Sequence, residues 1–205
     1  PNNVAVYMKI YNNVDINQQR QINTFVNNVI PSLKMHNGLK ITNIESVKKY
    51  SEMYLDSFNN SEMFSVWELW GDVHKHIAMS HDYVVNEYTN NRDTIWAFAF
   101  DIFHYINAVP WTHALKGKRI LLVCGFEESI KTQLKDRKNI YGIDLFPDCE
   151  FICIKPPQTL GDNDSAEFDV ELNQFVAKLK SPEYSDKYDI ALCAAGGYGN
   201  LICNE

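Results

Sequence analysis

The chain has 205 residues, 45% of them hydrophobic and 22% charged, with a formal net charge of −7. These are ordinary values for a globular protein, and the negative balance argues against a protein that works along a nucleic-acid backbone. No run approaches the about 20 apolar residues of a membrane span. The five cysteines (Cys124, Cys149, Cys153, Cys193 and Cys203) are odd in number and show no CxxC spacing, so neither a disulfide framework nor a zinc site is favoured. Cys124, Cys153 and Cys193 sit in or beside apolar runs, where cysteine acts as a small hydrophobe. A reducing, cytoplasmic compartment fits this usage.

Val4 to Tyr11 is rich in β-favouring residues and reads as a strand or a short N-terminal arm. Asp15 is a natural N-cap for the helix that follows. Ile16, Ile22, Phe25, Val26, Val29 and Ile30 recur at helical spacing, and Pro31 and Gly38 punctuate the end. A second helix is expected from Asn43, with Ile44, Val47, Tyr50, Met53, Tyr54 and Phe58 as a core-facing stripe. Asn59-Asn60-Ser61 breaks it. Met63 to Trp70 reads as a strand leading into Gly71-Asp72-Val73-His74, and a helix carrying His76, Met79 and Val84 follows. Thr94 to Val109 is apolar and aromatic throughout and reads as a buried helix.

The last third is the most regular part. Ile120 to Cys124, Glu150 to Ile154, and Tyr188 to Ala195 are short apolar runs bounded by turn residues. Such runs read as strands buried on both faces, and helical patterns between them predict an α/β unit with a mostly parallel sheet. In such sheets ligands sit beyond the carboxyl ends of the strands. That rule directs attention to Gly125-Phe126-Glu127-Glu128-Ser129 and to Gly196-Gly197-Tyr198-Gly199-Asn200. The glycines allow a close backbone approach, and a helix start offers free N–H groups to phosphate. Equally, they serve a tight strand-to-helix turn. Glu127 and Glu128 suit the positive end of a helix and would repel a phosphate unless a metal intervened. Asp72 and His74, two apart on an extended chain, can chelate a divalent ion, or are solvated loop residues. Lys155-Pro156-Pro157-Gln158 leaves the second strand of the unit in an extended exit, which places Gln158 at the same edge. Gly161 to Ser165 is acidic and turn-like, and sits where a cap is needed before the helix at Phe168.

These pieces, in this order, resemble the glycosyltransferases of the GT-D type. The resemblance rests on Trp111 and Leu115 to Val123, Phe126 to Ile130, Ile154 to Gln158, and Tyr188 to Leu192 followed by Gly196 to Gly199. It covers most of residues 61–205. Such domains occur in bacterial surface-polysaccharide loci, with relatives in large DNA viruses. The resemblance implies a Rossmann-like, mostly parallel sheet flanked by helices, a nucleotide-sugar donor, and Mn²⁺ or Mg²⁺. The family's marker, Arg-Phe/Ile-Gly-Asp-Gly-Glu, aligns in position with Phe64 to His74. Here Glu68 stands about where the arginine belongs, one residue is extra, and His74 replaces the glutamate.

The expected organisation is a strand and helical region over 1–60 and a Rossmann-like domain over 61–205. The chain starts on Pro1 and stops soon after Gly199, and so reads as part of a longer polypeptide with a further strand to come. The expected function is metal-assisted transfer of a sugar from a nucleotide sugar to a glycan acceptor. Asp72 and His74 would hold the metal. Gly125, Gln158, Gly196, Gly197, Tyr198 and Gly199 would line the nucleotide site, and Glu127 or Glu128 would be the base. The alternative is a non-catalytic binding or structural domain on the same scaffold, within a larger viral or polysaccharide-assembly protein. A methyltransferase of ordinary Rossmann type stands further off, because the first strand turn lacks G-x-G.

Overall fold

The computed structural model describes residues 1–66, 75–88, 92–100, 109–136, 146–157 and 164–205. It is a mixed α/β structure with two small parallel sheets flanked by helices, and its N-terminal region is helical.

The first element is helix α1 (Asn2–Ile10), not a strand or arm. Its β-branched residues express only a weak preference. Val4, Ala5 and Met8 fall on one helical face, and burying that face decides the outcome. Helix α2 (Ile16–Asn37) begins as expected at Asp15, whose carboxylate accepts from the N–H groups of Asn17 and Gln18. The Gln18 side chain accepts in return from the Asp15 N–H, completing a capping box. Pro31 does not end this helix, which runs on to Asn37. Gly38 ends it with φ of 67°, and the Leu39 N–H turns back to the Leu33 carbonyl. Helix α3 (Ile44–Asn59) starts at Asn43, whose side chain accepts from the Ser46 N–H. Val47 and Tyr50 of its stripe are buried, and so is Leu55, which the stripe did not include.

Strand β1 (Met63–Val66) covers the first part of the expected strand, and the rest lies outside the described residues. Helix α4 (Lys75–Tyr88) follows, with Val84 buried. The segment expected as a buried helix from Thr94 instead contributes strand β2 (Asp93–Trp96) and a 3-10 turn over Ala97–Phe100. Residues 101–108 lie outside the described residues. A continuous apolar run carries no period that separates helix from strand. Here β1 supplies the partner, and the two strands pair in parallel from Met63↔Asp93 to Val66↔Trp96. Arg92 ties β2 to the end of α3 by donating to the carbonyls of Phe58, Asn59 and Ser61. A cation suits that helix end.

The other sheet joins β3 (Arg119–Cys124), β4 (Glu150–Ile154) and β5 (Ile190–Ala194), all parallel, in the order β4-β3-β5. The expected mostly parallel sheet is present in these strands. Helix α5 (Glu127–Gln133) follows β3, helix α6 (Phe168–Leu179) precedes β5, and helix α7 (Gly199–Cys203) follows it. Helix α6 has Glu167 at its N-cap and no side-chain capping bond from the described residues, and residues 161–163 lie outside them. Its first N–H, on Phe168, donates to the Lys40 carbonyl from the α2–α3 connection. One apolar core includes residues from both sides of residue 60: Val26 of α2, Tyr50 of α3, Leu121 and Val123 of β3, and Phe168 and Leu172 of α6. Among the described residues no helix is long and apolar enough to cross a membrane.

Candidate functional site at the carboxyl edge of the sheet

The order β4-β3-β5 sends the chain from β3 to one neighbour and then back past it to the other. Strands β3 and β5 are therefore adjacent, with connections leaving in different directions. Their last residues stand opposite each other, Cys124 against Ala194. The turns after them, at Gly125 and Gly196, flank the place where open parallel sheets receive ligands. The sequence directs attention to the same two turns.

The turn after β3 is open. Phe126 is 75% exposed, Glu127 is half-buried, and Glu128 is exposed. Glu128 pairs with Lys131 one helical turn on, at 2.9 Å. Burial pushes up the thiol of Cys153 on β4, and Cys124 adds to the effect. This edge is acidic, and Lys131 is already engaged by Glu128.

The turn after β5 is filled by the chain itself. Gly196 has φ of 54°, and a Cβ there would stand 2.9 Å from the Asn37 carbonyl oxygen. A Cβ on Gly197 would stand 2.5 Å from the Leu39 side chain and 3.1 Å from the same Asn37 oxygen. The glycines thus have a structural reason, the close approach of the end of α2. The Tyr50 hydroxyl donates to the Gly197 carbonyl at 3.1 Å. Tyr198 is fully buried, and among the described residues its hydroxyl has no hydrogen-bond partner. Burial pushes the phenols of both Tyr50 and Tyr198 up. Only Gly199 has open space on its Cα.

Compared with protein-family models, curated proteins and solved structures, the chain matches none. The reading of the site therefore rests on its own residues.

Asp72, His74 and Gln158 lie outside the described residues. A carboxylate oxygen and an imidazole nitrogen are suitable donors for a divalent ion. Among the described residues no group of three His, Cys, Asp or Glu side chains could hold one.

A second concavity was not anticipated. A cavity of about 390 Å³ lies between α3, β1, α4 and α7, with Asn60, Ser65, His81, Asn200, Cys203 and Asn204 on its walls. Its lining comes from segments far apart in the chain, so no local motif announces it. The sequence signal nearest to it is His81 itself, in a stretch that also holds His74 and His76.

Proposed function

We propose that the chain is a nucleotide-sugar-dependent glycosyltransferase domain that works at the carboxyl edge of β3 and β5. The observation that supports this reading is the parallel order β4-β3-β5, which sets the two turns side by side at a change of direction. On this reading the fold is Rossmann-like, and Gly125, Gln158 and Gly199 border the nucleotide. The backbone of Gly196, Gly197 and Tyr198 shapes the turn rather than giving side-chain contacts. Glu127, half-buried at the start of α5, or Glu128 beside it, takes the proton of the acceptor hydroxyl. Asp72 and His74 are the proposed ligands of Mn²⁺ or Mg²⁺, which supplies charge neutralisation to a leaving diphosphate when bound. A cytoplasmic place fits a nucleotide-sugar donor.

A second reading, a non-catalytic binding or structural domain on this scaffold, is favoured by the filled β5 turn. Asn37 and Leu39 occupy the space that a ligand would need against Gly196 and Gly197.

A thermal-shift screen separates the two, because a ligand that binds only the native state raises the melting temperature. UDP, GDP, CDP, ADP and dTDP, and S-adenosylmethionine, are each tested with and without Mn²⁺. The transferase reading expects a metal-dependent rise with one nucleoside diphosphate, lost in Asp72→Ala. No rise with any diphosphate overturns it and leaves the non-catalytic reading. A rise with S-adenosylmethionine alone overturns both.

A further inference from the structure

The cavity between α3, β1, α4 and α7 has a volume of about 390 Å³, a size that receives a small molecule. Its walls come from elements far apart in the chain. Asn60 follows α3, Ser65 lies on β1, His81 lies on α4, and Asn200 and Asn204 stand at the two ends of α7. These side chains supply amides, a hydroxyl and an imidazole, and Tyr54, Phe58 and Phe64 supply the carbon beside them. Asn60, Ser65, Asn200 and Asn204 are exposed, so a ligand reaches them from solvent.

Hydrogen bonds hold these walls in place. The Asn60 Nδ2 donates to the Asn204 Oδ1 at 2.6 Å and joins the end of α3 to the end of α7. The Tyr54 hydroxyl donates to the Asn2 Oδ1 at 2.6 Å and joins α3 to α1. Arg92 donates to the carbonyls of Phe58, Asn59 and Ser61, which fixes the turn from α3 into β1. The single bond between Asn60 and Asn204 leaves the Asn60 carbonyl as an acceptor next to the Asn204 amino group as a donor. A hydroxyl both donates and accepts, so this pair matches it. The aromatic faces are already taken up. Phe58 and Phe64 stack on each other at 5.5 Å and 3°, Tyr54 stands edge-on to Phe58, and the Arg92 guanidinium lies over Phe64. A nucleobase binds largely by stacking on such faces, and a ligand that meets amides and ring edges fits better.

We propose that this cavity binds a neutral sugar, whose hydroxyls bond to Asn60, Ser65, Asn200 and Asn204. A sugar ring carries several hydroxyls, and each needs both a donor and an acceptor when it leaves water. Asparagine amides and a serine hydroxyl supply both senses with no formal charge. The C–H groups of the ring suit the carbon of Tyr54 and Met63 at the same wall. The sugar is held here without any bond being made or broken. The site uses no residue assigned to sugar transfer, so it stands or falls apart from the transferase reading.

The test is a saturation-transfer NMR titration of the whole chain, with no metal and no nucleoside diphosphate added, so its outcome is distinct from that of the diphosphate screen. The probes are glucose, galactose, mannose and N-acetylglucosamine at millimolar concentration, beside glucose 6-phosphate, uridine and adenosine. At least one neutral sugar is expected to receive saturation and to titrate. Ser65→Ala and Asn200→Ala, both at exposed positions, are expected to keep the wild-type melting temperature and to bind that sugar about three- to tenfold more weakly, as the loss of one neutral hydrogen bond implies. Asn60→Ala is expected to weaken it further, because the Asn204 amide then loses its anchor. No transfer to any neutral sugar overturns the proposal. Tighter binding of uridine, adenosine or glucose 6-phosphate than of every neutral sugar overturns the ligand class. Wild-type affinity in both Ser65→Ala and Asn200→Ala overturns the location.

Discussion

The two turns at the carboxyl edge stand on neighbouring strands and look alike in the sequence, yet they have opposite characters. The turn after β3 has one glycine, an exposed phenylalanine and two carboxylates beside solvent. The turn after β5 has three glycines and holds no free space at two of them. A glycine-rich turn between a strand and a helix invites a phosphate, because bare backbone permits close approach. At Gly196 and Gly197 the approaching group is the end of α2. Glycine spacing reports that something comes close, and only the fold says whether that something is a ligand or another part of the chain. The open acidic turn, which has the weaker sequence signature, is the one left accessible for chemistry.

The largest expected effect separates the glycines of a single motif. Gly196→Ala puts a Cβ against the Asn37 carbonyl at a left-handed φ. The expected loss is about 2–4 kcal/mol, combining left-handed strain with overpacking. Gly199→Ala meets nothing within 4 Å and lies in a helix, so a gain of about 0.5 kcal/mol is expected. Urea unfolding of both variants measures the contrast, and equal effects would break the account of the filled turn.

Next come the two buried tyrosines around that turn. Tyr50→Phe removes the donor to the Gly197 carbonyl and is expected to cost about 1 kcal/mol. Tyr198→Phe removes a buried hydroxyl with no partner among the described residues and is expected to stabilise by a similar amount, about 1 kcal/mol. Opposite signs for the same chemical change, read as shifts of the denaturant midpoint, are the outcome to check.

The amino ends of the same strands give a pH prediction. The Arg119 guanidinium donates to Asp189 at 2.7 Å, and the Arg119 N–H donates to the other carboxylate oxygen at 2.8 Å. The guanidinium first, then the backbone N–H, hold the Asp189 carboxyl at about 2, below its ordinary 3.8. A lowered folded-state pKa means stability that is present above the ordinary value and lost on acidification. The melting temperature is therefore expected to fall as pH drops from about 4 towards 2. Asp189→Asn should flatten that part of the profile while leaving the carboxyl-end turns unchanged.

The smallest stability effect belongs to the open turn. Glu128 and Lys131 form an exposed pair one helical turn apart, and Glu128→Gln should change stability by only about 0.3 kcal/mol. If the transferase reading holds, Glu127→Gln and Glu128→Gln leave melting temperatures near wild type while one of them abolishes sugar transfer. A large stability loss at either position would make the acidic turn structural and remove the contrast with the glycine turn.

Much of the local architecture was legible in the sequence. Asp15 with Gln18 and Asn43 with Ser46 mark helix starts within a few residues of themselves. The runs around Leu121, Ile152 and Leu192 give β3, β4 and β5, because a short apolar segment between turn residues fits a strand. The expected burial on both faces holds best for the central β3, while β4 and β5 on either side of it stay largely half-exposed. Helix α1 was not legible, since Val4 and Ala5 favour a helix only through the face they bury. Nor was β2, since the aromatic run from Thr94 has no period of its own and takes its form from pairing with β1. Of the candidate residues, Gly125, Glu127 and Glu128 follow the carboxyl end of β3, the place that the sequence pattern indicates. The cavity was missed, because its lining comes from separate elements.

The sequence by itself determined where chain direction changes and which segments are apolar. Caps, turns and strand runs depend on hydrogen bonds and periodicity among near neighbours, and those are written locally. The tertiary structure alone decided that Leu39 meets Gly197 and that Lys40 caps α6. These contacts form where the whole chain buries its apolar faces in one core. A glycine or a carbonyl carries no mark of the distant residue that packing brings to it.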